Sequence, residues 1–369
     1  MKPIEITTKF RPFSHEPGVM VPYPLLNLVF IVYPTKLKIV DWKNSQKIIL
    51  SLKFKFKTPC KKFTVFVDLL KQVIEIDCEL EDNFARFRLA YDEKKGHFYV
   101  SLVRYKEEFL GFEVKRPNRT SIIRRQLTTK KPLILFKDLD QKIIKFPEKL
   151  FLGCHKKQEI ESVFNRKDLR EFLPFWYLWG QFCTAPSVSD HKEGTLVFLT
   201  HLQESIDKKE HNSIAPYLKH IISSSFAPMM VPHLEDFRHW GFFLPKHTST
   251  RTSPWLILSE LYHVIRQFFI VLKSPDLYIL PHLPPELFCG KLTSIKEENL
   301  TLHLEWTKKM IRRMIIFASK STTVHLHFSN DIKSFRVKTS KNDRGKRVLN
   351  NSEMTFKRSK AYFFDCFEK

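Results

Sequence analysis

Glycine is scarce, with nine copies in 369 residues. Loops that cradle phosphates need glycine so that backbone amides can approach the ligand closely, so a P-loop or a dinucleotide-binding turn is not expected. The GxSxG, HExxH and kinase signatures are missing as well, and no catalytic residue, metal site or cofactor is assigned. Cysteine is equally thin. The six copies, at 60, 78, 154, 183, 289 and 366, include no CxxC pair and read as buried thiols in a reducing compartment, neither zinc ligands nor a disulfide framework. Uncharged apolar runs of membrane length are also lacking. Met20–Tyr33 is interrupted by Pro22, Pro24 and Asn27, and Trp255–Leu272 carries Glu260, His263, Arg266 and Gln267. With no signal-peptide pattern either, the expected location is the cytoplasm, without a membrane span.

What is present is ample apolar and basic material. Hydrophobic residues make up 43% of the chain and aromatics 14%, with 34 phenylalanines, enough to bury more than one core. The abundance of Phe and Lys fits a protein of an AT-rich intracellular bacterium. The net charge of +23 lies in the flanks, because residues 151–300 hold equal numbers of basic and acidic side chains. Between 115 and 131 stand Lys115, Arg116, Arg119, Arg124, Arg125, Lys130 and Lys131 with no acidic neighbour, and a second basic run spans Lys338–Lys360. Such runs attract nucleic acid and other polyanions by counterion release. They carry almost no aromatics, which sites for single strands usually supply, so a solvated surface is the competing reading.

The first 150 residues alternate in period two. In Ile49–Lys57, Leu50, Leu52, Phe54 and Phe56 oppose Ser51, Lys53, Lys55 and Lys57, the mark of a half-buried antiparallel strand. Phe63–Leu69 and Gln72–Leu80 form a similar pair, and Asp92–Gly96 reads as a hairpin turn. After Leu152 the period lengthens. Gln158–Cys183 predicts a helix kinked at Pro174, Thr195–Ile206 a second, a third begins near Pro216, and Pro254–Lys273 predicts a fourth with Ser253 as N-cap. Alternation returns after Pro281. The expected fold is therefore α+β. A β-sandwich (1–150), a helical segment (151–275), a β-rich unit (276–337) and a flexible basic tail (338–369) follow in that order.

Two constellations invite chemistry. Pro232–Phe243 gathers Glu235, Asp236, Arg238, His239 and Trp240, and a carboxylate beside an indole suits a sugar, one group bonding hydroxyls and the other stacking on the ring. His325 and His327 share one face of a predicted strand, with His303 on another, but no acidic or Cys ligand is spaced to complete a metal site.

From Tyr278 to Trp306 the sequence YILPHLPPELFCGKLTSIKEENLTLHLEW, with Leu280, Pro281, Leu283, Pro284, Gly290, Leu304 and Trp306, resembles the segment that leads into the C-terminal β-sandwich of α-L-fucosidase-type inverting glycoside hydrolases. That resemblance implies an N-terminal β-sandwich, helices and a C-terminal β unit. Those enzymes carry their acid and base on a barrel of about a dozen helices, for which 152–275 is too short, so no catalytic residue carries over. The expectation is a non-catalytic, carbohydrate-related binding protein. A polyanion- or nucleic-acid-associated protein and a protein-interaction scaffold are the alternatives, and any enzyme would be a glycoside hydrolase.

Overall fold

The computed structural model describes residues 3–43, 47–81, 84–104, 109–123, 132–183, 194–235, 252–328, 332–340 and 342–369. The fold is mostly β, with five sheets and few helices, which corrects the expected balanced α+β fold with a central helical segment. The correction has a local cause. The apolar run Ile270–Lys273, which reads equally as helix or strand, is a strand because Asp276–Ile279 takes its backbone hydrogen bonds, and the basic stretch after 338 adds further strands.

Two six-stranded antiparallel sheets form the N-terminal part. One runs in the order Phe13–Ser14, Lys62–Asp68, Val73–Glu79, Phe84–Asp92, His97–Arg104, Leu133–Phe136. The other runs Arg119–Ile123, Phe109–Arg116, Lys47–Phe56, Lys36–Asp41, Leu28–Tyr33, Val19–Tyr23. They pack face to face through alternate side chains. Phe54 stacks on Phe87 at 4.4 Å with rings 8° from parallel, and Phe112 meets both edge-on. Each buried Phe contributes about 2–3 kcal/mol relative to exposure, which is where the phenylalanine excess goes.

Among the described residues five helices follow: α1 (Ile160–Arg166), α2 (Leu169–Gln181), α3 (Val197–Asp207), α4 (His211–Ser225) and α5 (Trp255–Gln267). The single helix expected over 158–183 is two. Lys167 turns left-handed at φ 48°, and the Asp168 side chain then accepts the Arg170 amide as an N-cap, so the break lies there and Pro174 sits inside α2. Trp176 and Trp179 are core. Gly180 lets α2 and α5 touch, since a Cβ there would lie 2.3 Å from the Leu258 carbonyl oxygen. The predicted fourth helix is shorter than expected. It ends at Gln267, and Ile270–Lys273 becomes a strand paired with Asp276–Ile279. Ser253 contributes its carbonyl to Leu256 N–H, and Pro254 holds the cap position in its place.

The C-terminal part holds a seven-stranded sheet, in the order Lys149–Phe151, Cys289–Glu297, Leu300–Thr307, Met310–Ala318, Lys360–Glu368, Ser334–Lys338, Lys346–Leu349. A four-stranded sheet runs Ile270–Lys273, Asp276–Ile279, Thr322–His327, Glu353–Phe356, with its middle pair parallel. The stretch after 338, expected as a flexible tail, therefore supplies strands to both sheets. Tyr362 and Phe364 bury one face of it.

A buried ion pair joins helices to sheet. Glu148, 6% exposed, accepts Tyr177 Oη–H and the Lys296 amide, and Arg266 donates to it at 3.1 and 3.3 Å. Arg266 also reaches Glu297 at 2.5 Å and the Lys296 carbonyl at 2.7 Å. Every lone pair the carboxylate offers is used, which is the condition under which a buried ion pair holds rather than costs.

Candidate functional site

A cleft of about 620 Å³ opens between the α3–α4 turn and the four-stranded sheet. Its chemistry comes from four separate stretches of chain. The first is the turn after α3. Lys209 takes φ 58° and its amide bonds the Ile206 carbonyl, which closes α3 and starts α4 two residues later. Lys209 and His211 thus stand at the start of α4. Glu210, at the N-cap position, makes no side-chain cap there, so the positive end of the helix dipole faces the same place as the two side chains.

The second and third stretches are strands. Val271 pairs with Tyr278 and Lys273 with Asp276 across the hairpin, and Asp276 and Tyr278 lie opposite His325 and His327 in the parallel pair. Period two then places Lys273, Asp276, Tyr278, His325 and His327 on one face. Asp276 accepts from His327 Nε2 at 2.7 Å and lies 3.6 Å from His325 Nδ1. The Tyr278 ring stacks on His327 at 4.6 Å and 17°. The other His327 nitrogen lies 2.9 Å from the Asn351 side chain, the fourth contribution, delivered by the turn before Glu353–Phe356.

His282 closes the cleft. It follows Leu280, which turns left-handed at φ 55° and donates its amide to Phe269, and it brings its ring to 6.0 Å from that of His211. Its Nδ1 is buried and has no hydrogen-bond partner among the described residues. Burial lowers the pKa of this ring, and the positive fields of His211, Lys209 and Lys273 lower it further against a smaller opposing pull from Asp207.

The lining thus brings together Lys209, His211, Lys273, Tyr278, His282, His327 and Asn351, and among the described residues it contains no carboxylate. That composition donates hydrogen bonds and positive charge. Glycoside hydrolysis proceeds by a pair of carboxylates, which the described residues of the lining do not supply. Among the described residues no group of three or more His, Cys, Asp or Glu could hold a metal, and His303 lies on the seven-stranded sheet, away from His325 and His327.

The residues singled out from sequence lie elsewhere. Glu235 is exposed just beyond the small hairpin Phe226–Ala227/Val231–Pro232, while Asp236, Arg238, His239 and Trp240 fall outside the described residues. Lys115, Arg116 and Arg119 are exposed on the Phe109–Arg116/Arg119–Ile123 hairpin, and Arg124, Arg125, Lys130 and Lys131 also fall outside the described residues. Of the cleft, only the shared face of His325 and His327 was visible in the sequence. His282 and Tyr278 sit within the stretch that resembles the fucosidase-type enzymes, where they drew no notice.

No known family's sequence profile matches the chain, and no curated protein matches it. The fucosidase-type resemblance of 278–306 therefore stands without such support. Among solved structures, a GH127 β-L-arabinofuranosidase from Geobacillus stearothermophilus T6 is similar over 58% of this chain and 44% of its own length, at 11% identity and a TM-score of 0.22. The matched part spans less than half of that enzyme, and a likeness so distant says nothing of activity. Among the described residues no helix is long and apolar enough to cross a membrane.

Proposed function

We propose that the protein binds a small acidic ligand in the cleft between α4 and the four-stranded sheet, and that its ligand class is an acidic sugar, a uronate or a sugar phosphate. One observation carries the reading. Lys209, His211, Lys273 and His282 converge on a cleft that has no carboxylate in its lining among the described residues, and Asp276 and Asp207 offset only part of their charge from outside it. A neutral sugar needs acceptors for its hydroxyl protons, and this lining offers few. An anion satisfies the four cationic and imidazole groups at once, and charge-assisted bonds are the strong ones.

The sugar part rests on shape. The cleft volume is that of a small-molecule site. Tyr278, held flat by its stack on His327, presents a ring face on which the C–H side of a pyranose can lie, and Asn351 can both donate and accept. This narrows the carbohydrate reading to acidic ligands and moves it from the Pro232–Phe243 loop to the cleft. Calorimetric titration with glucuronate, glucose 6-phosphate and glucose tests it. The two acidic sugars are expected to bind and glucose to give no heat; equal binding of all three would overturn the role of charge.

A further inference from the structure

The sheet Arg119–Ile123, Phe109–Arg116, Lys47–Phe56, Lys36–Asp41, Leu28–Tyr33, Val19–Tyr23 buries one face in the sandwich and turns the other outward. Leu37, Leu50, Leu52, Phe54, Phe112 and Val114 point in. The residues between them point out, and their register forms two rows across four strands. Lys36 pairs with Lys53, Lys53 with Glu113, and Glu113 with Ile122. In the next row Lys38 pairs with Ser51, Ser51 with Lys115, and Lys115 with Thr120. Lys55, opposite Gly111, adds a fifth lysine.

Lysines two apart on a strand are separated by about 6.7 Å and those on neighbouring strands by about 4.8 Å, so the five form a planar lattice of charge. Among the described residues only Lys55 of the five has a carboxylate partner, Glu113 at 3.4 Å. Lys36 directly opposite Lys53 is a like-charge pair, which weakens a sheet. Solubility alone does not require that arrangement, because one acidic residue at either position would be as soluble and more stable.

We propose that this face docks on an anionic membrane surface. The site is independent of the cleft, which lies on other elements. Three features favour a bilayer over a nucleic acid. The face is the broad outward side of a sheet, spread over four strands, which suits an extended partner surface. Among the described residues its outward cations are lysines, a point charge on a long apolar stem suited to diffuse headgroup charge, unlike the forked guanidinium that reads phosphates singly. Tyr33, the neighbouring aromatic, lies under the Lys38 ammonium at 5.6 Å and is not free to stack a base. Ile122, 53% exposed, stands in the same row as Lys53 and can enter the headgroup–acyl boundary beside them.

The test is co-sedimentation of the full chain with phosphatidylcholine vesicles, with and without phosphatidylserine, at low and high salt. Single-stranded and duplex oligonucleotides are assayed in parallel. Binding is expected only with phosphatidylserine and only at low salt. Each lysine near an anionic leaflet contributes about fivefold, so Lys36→Ala/Lys53→Ala/Lys115→Ala should lose about a hundredfold in vesicle affinity. The charge-matched control Lys94→Ala/Lys308→Ala/Lys320→Ala, exposed and off this face, should lose little. Both variants are checked by urea unfolding, where the first should be at least as stable as the parent because the Lys36–Lys53 repulsion is gone. Failure to bind phosphatidylserine vesicles, an equal loss in both variants, or oligonucleotide binding that the first variant alone abolishes while vesicles are ignored would each overturn the proposal.

Discussion

His211 and His282 hold their rings 6.0 Å apart, one at the start of α4 and the other on the turn after Asp276–Ile279, with Lys209 and Lys273 close enough to depress the His282 pKa. Like charges crowd in this way when something else is meant to lie between them. The first prediction follows from that relationship. Lys209→Ala and Lys273→Ala should each weaken glucuronate binding by about tenfold, the worth of one charge-assisted hydrogen bond. Both side chains are exposed, so unfolding free energy should move by no more than about 0.5 kcal/mol. Titration calorimetry and urea denaturation of the same samples separate the two effects.

Binding should also depend on pH, with a definite sign. The empty cleft holds His282 below the ordinary histidine value, and an anion beside it favours the protonated ring. The complex therefore takes up a proton, and affinity rises as pH falls through the mildly acidic range. It levels off once the free ring is itself protonated. Glucuronate or sulfate is the right probe, because neither changes charge over that range. His282→Gln should flatten the profile, and an unchanged slope in that variant would assign the dependence to another group.

Stability should respond to a different histidine. His233 is buried with its ring edge-on to Trp42 at 5.2 Å, and burial lowers its pKa from 6.5 to about 4. The folded state binds fewer protons there than the unfolded chain, so this contribution is complete above pH 6.5 and is lost as pH falls towards 4. At about 1.36 kcal/mol per pH unit the loss reaches roughly 3 kcal/mol. Glu75, Asp168 and Asp365, whose carboxyls hydrogen bonds and arginines hold low, add acid lability of the same sign at lower pH. The comparison is therefore between the parent and His233→Leu, and the variant should show the shallower fall from neutral pH to pH near 4.5 in urea titrations.

Glu148→Gln should destabilise by about 3 kcal/mol, since it takes away one of the two carboxylates that pair with buried Arg266 and leaves Glu297 alone to offset its charge. Arg266→Leu/Glu148→Gln, which removes both charges, should cost less than the sum of Arg266→Leu and Glu148→Gln made singly. Urea unfolding of the four chains completes that cycle, and simple additivity would remove the ion pair from the account of how α2, α5 and the seven-stranded sheet are joined.

The strands were the legible part of the sequence. Ile49–Lys57 alternates cleanly and is the strand Lys47–Phe56, because a half-buried sheet face writes its period directly into the chain. The helical stretch was legible only in outline. Lys167 breaks it by a left-handed turn with no Gly or Pro to mark it, and Ile270–Lys273 pairs with a strand that the apolar pattern cannot distinguish from another helical turn. The basic end 338–369 looked like a tail because its charges outnumber its apolar residues, yet Tyr362 and Phe364 alternate well enough to bury against a sheet. The cleft was least legible. Its residues come from four stretches between 209 and 351, and the pairing that sets Tyr278 beside His327 is parallel and non-local. No local pattern encodes such a register.

A histidine-selective NMR titration of the full chain with sulfate and with glucuronate at fixed pH reads anion binding at the cleft's own rings. The His211 and His282 ring resonances should shift together and saturate, His303 on the other sheet should stay still, and Lys209→Ala/Lys273→Ala should abolish the shifts. Ring resonances of His211 and His282 that do not move with either anion, or that move equally in the double variant, would contradict binding of an acidic ligand in the cleft.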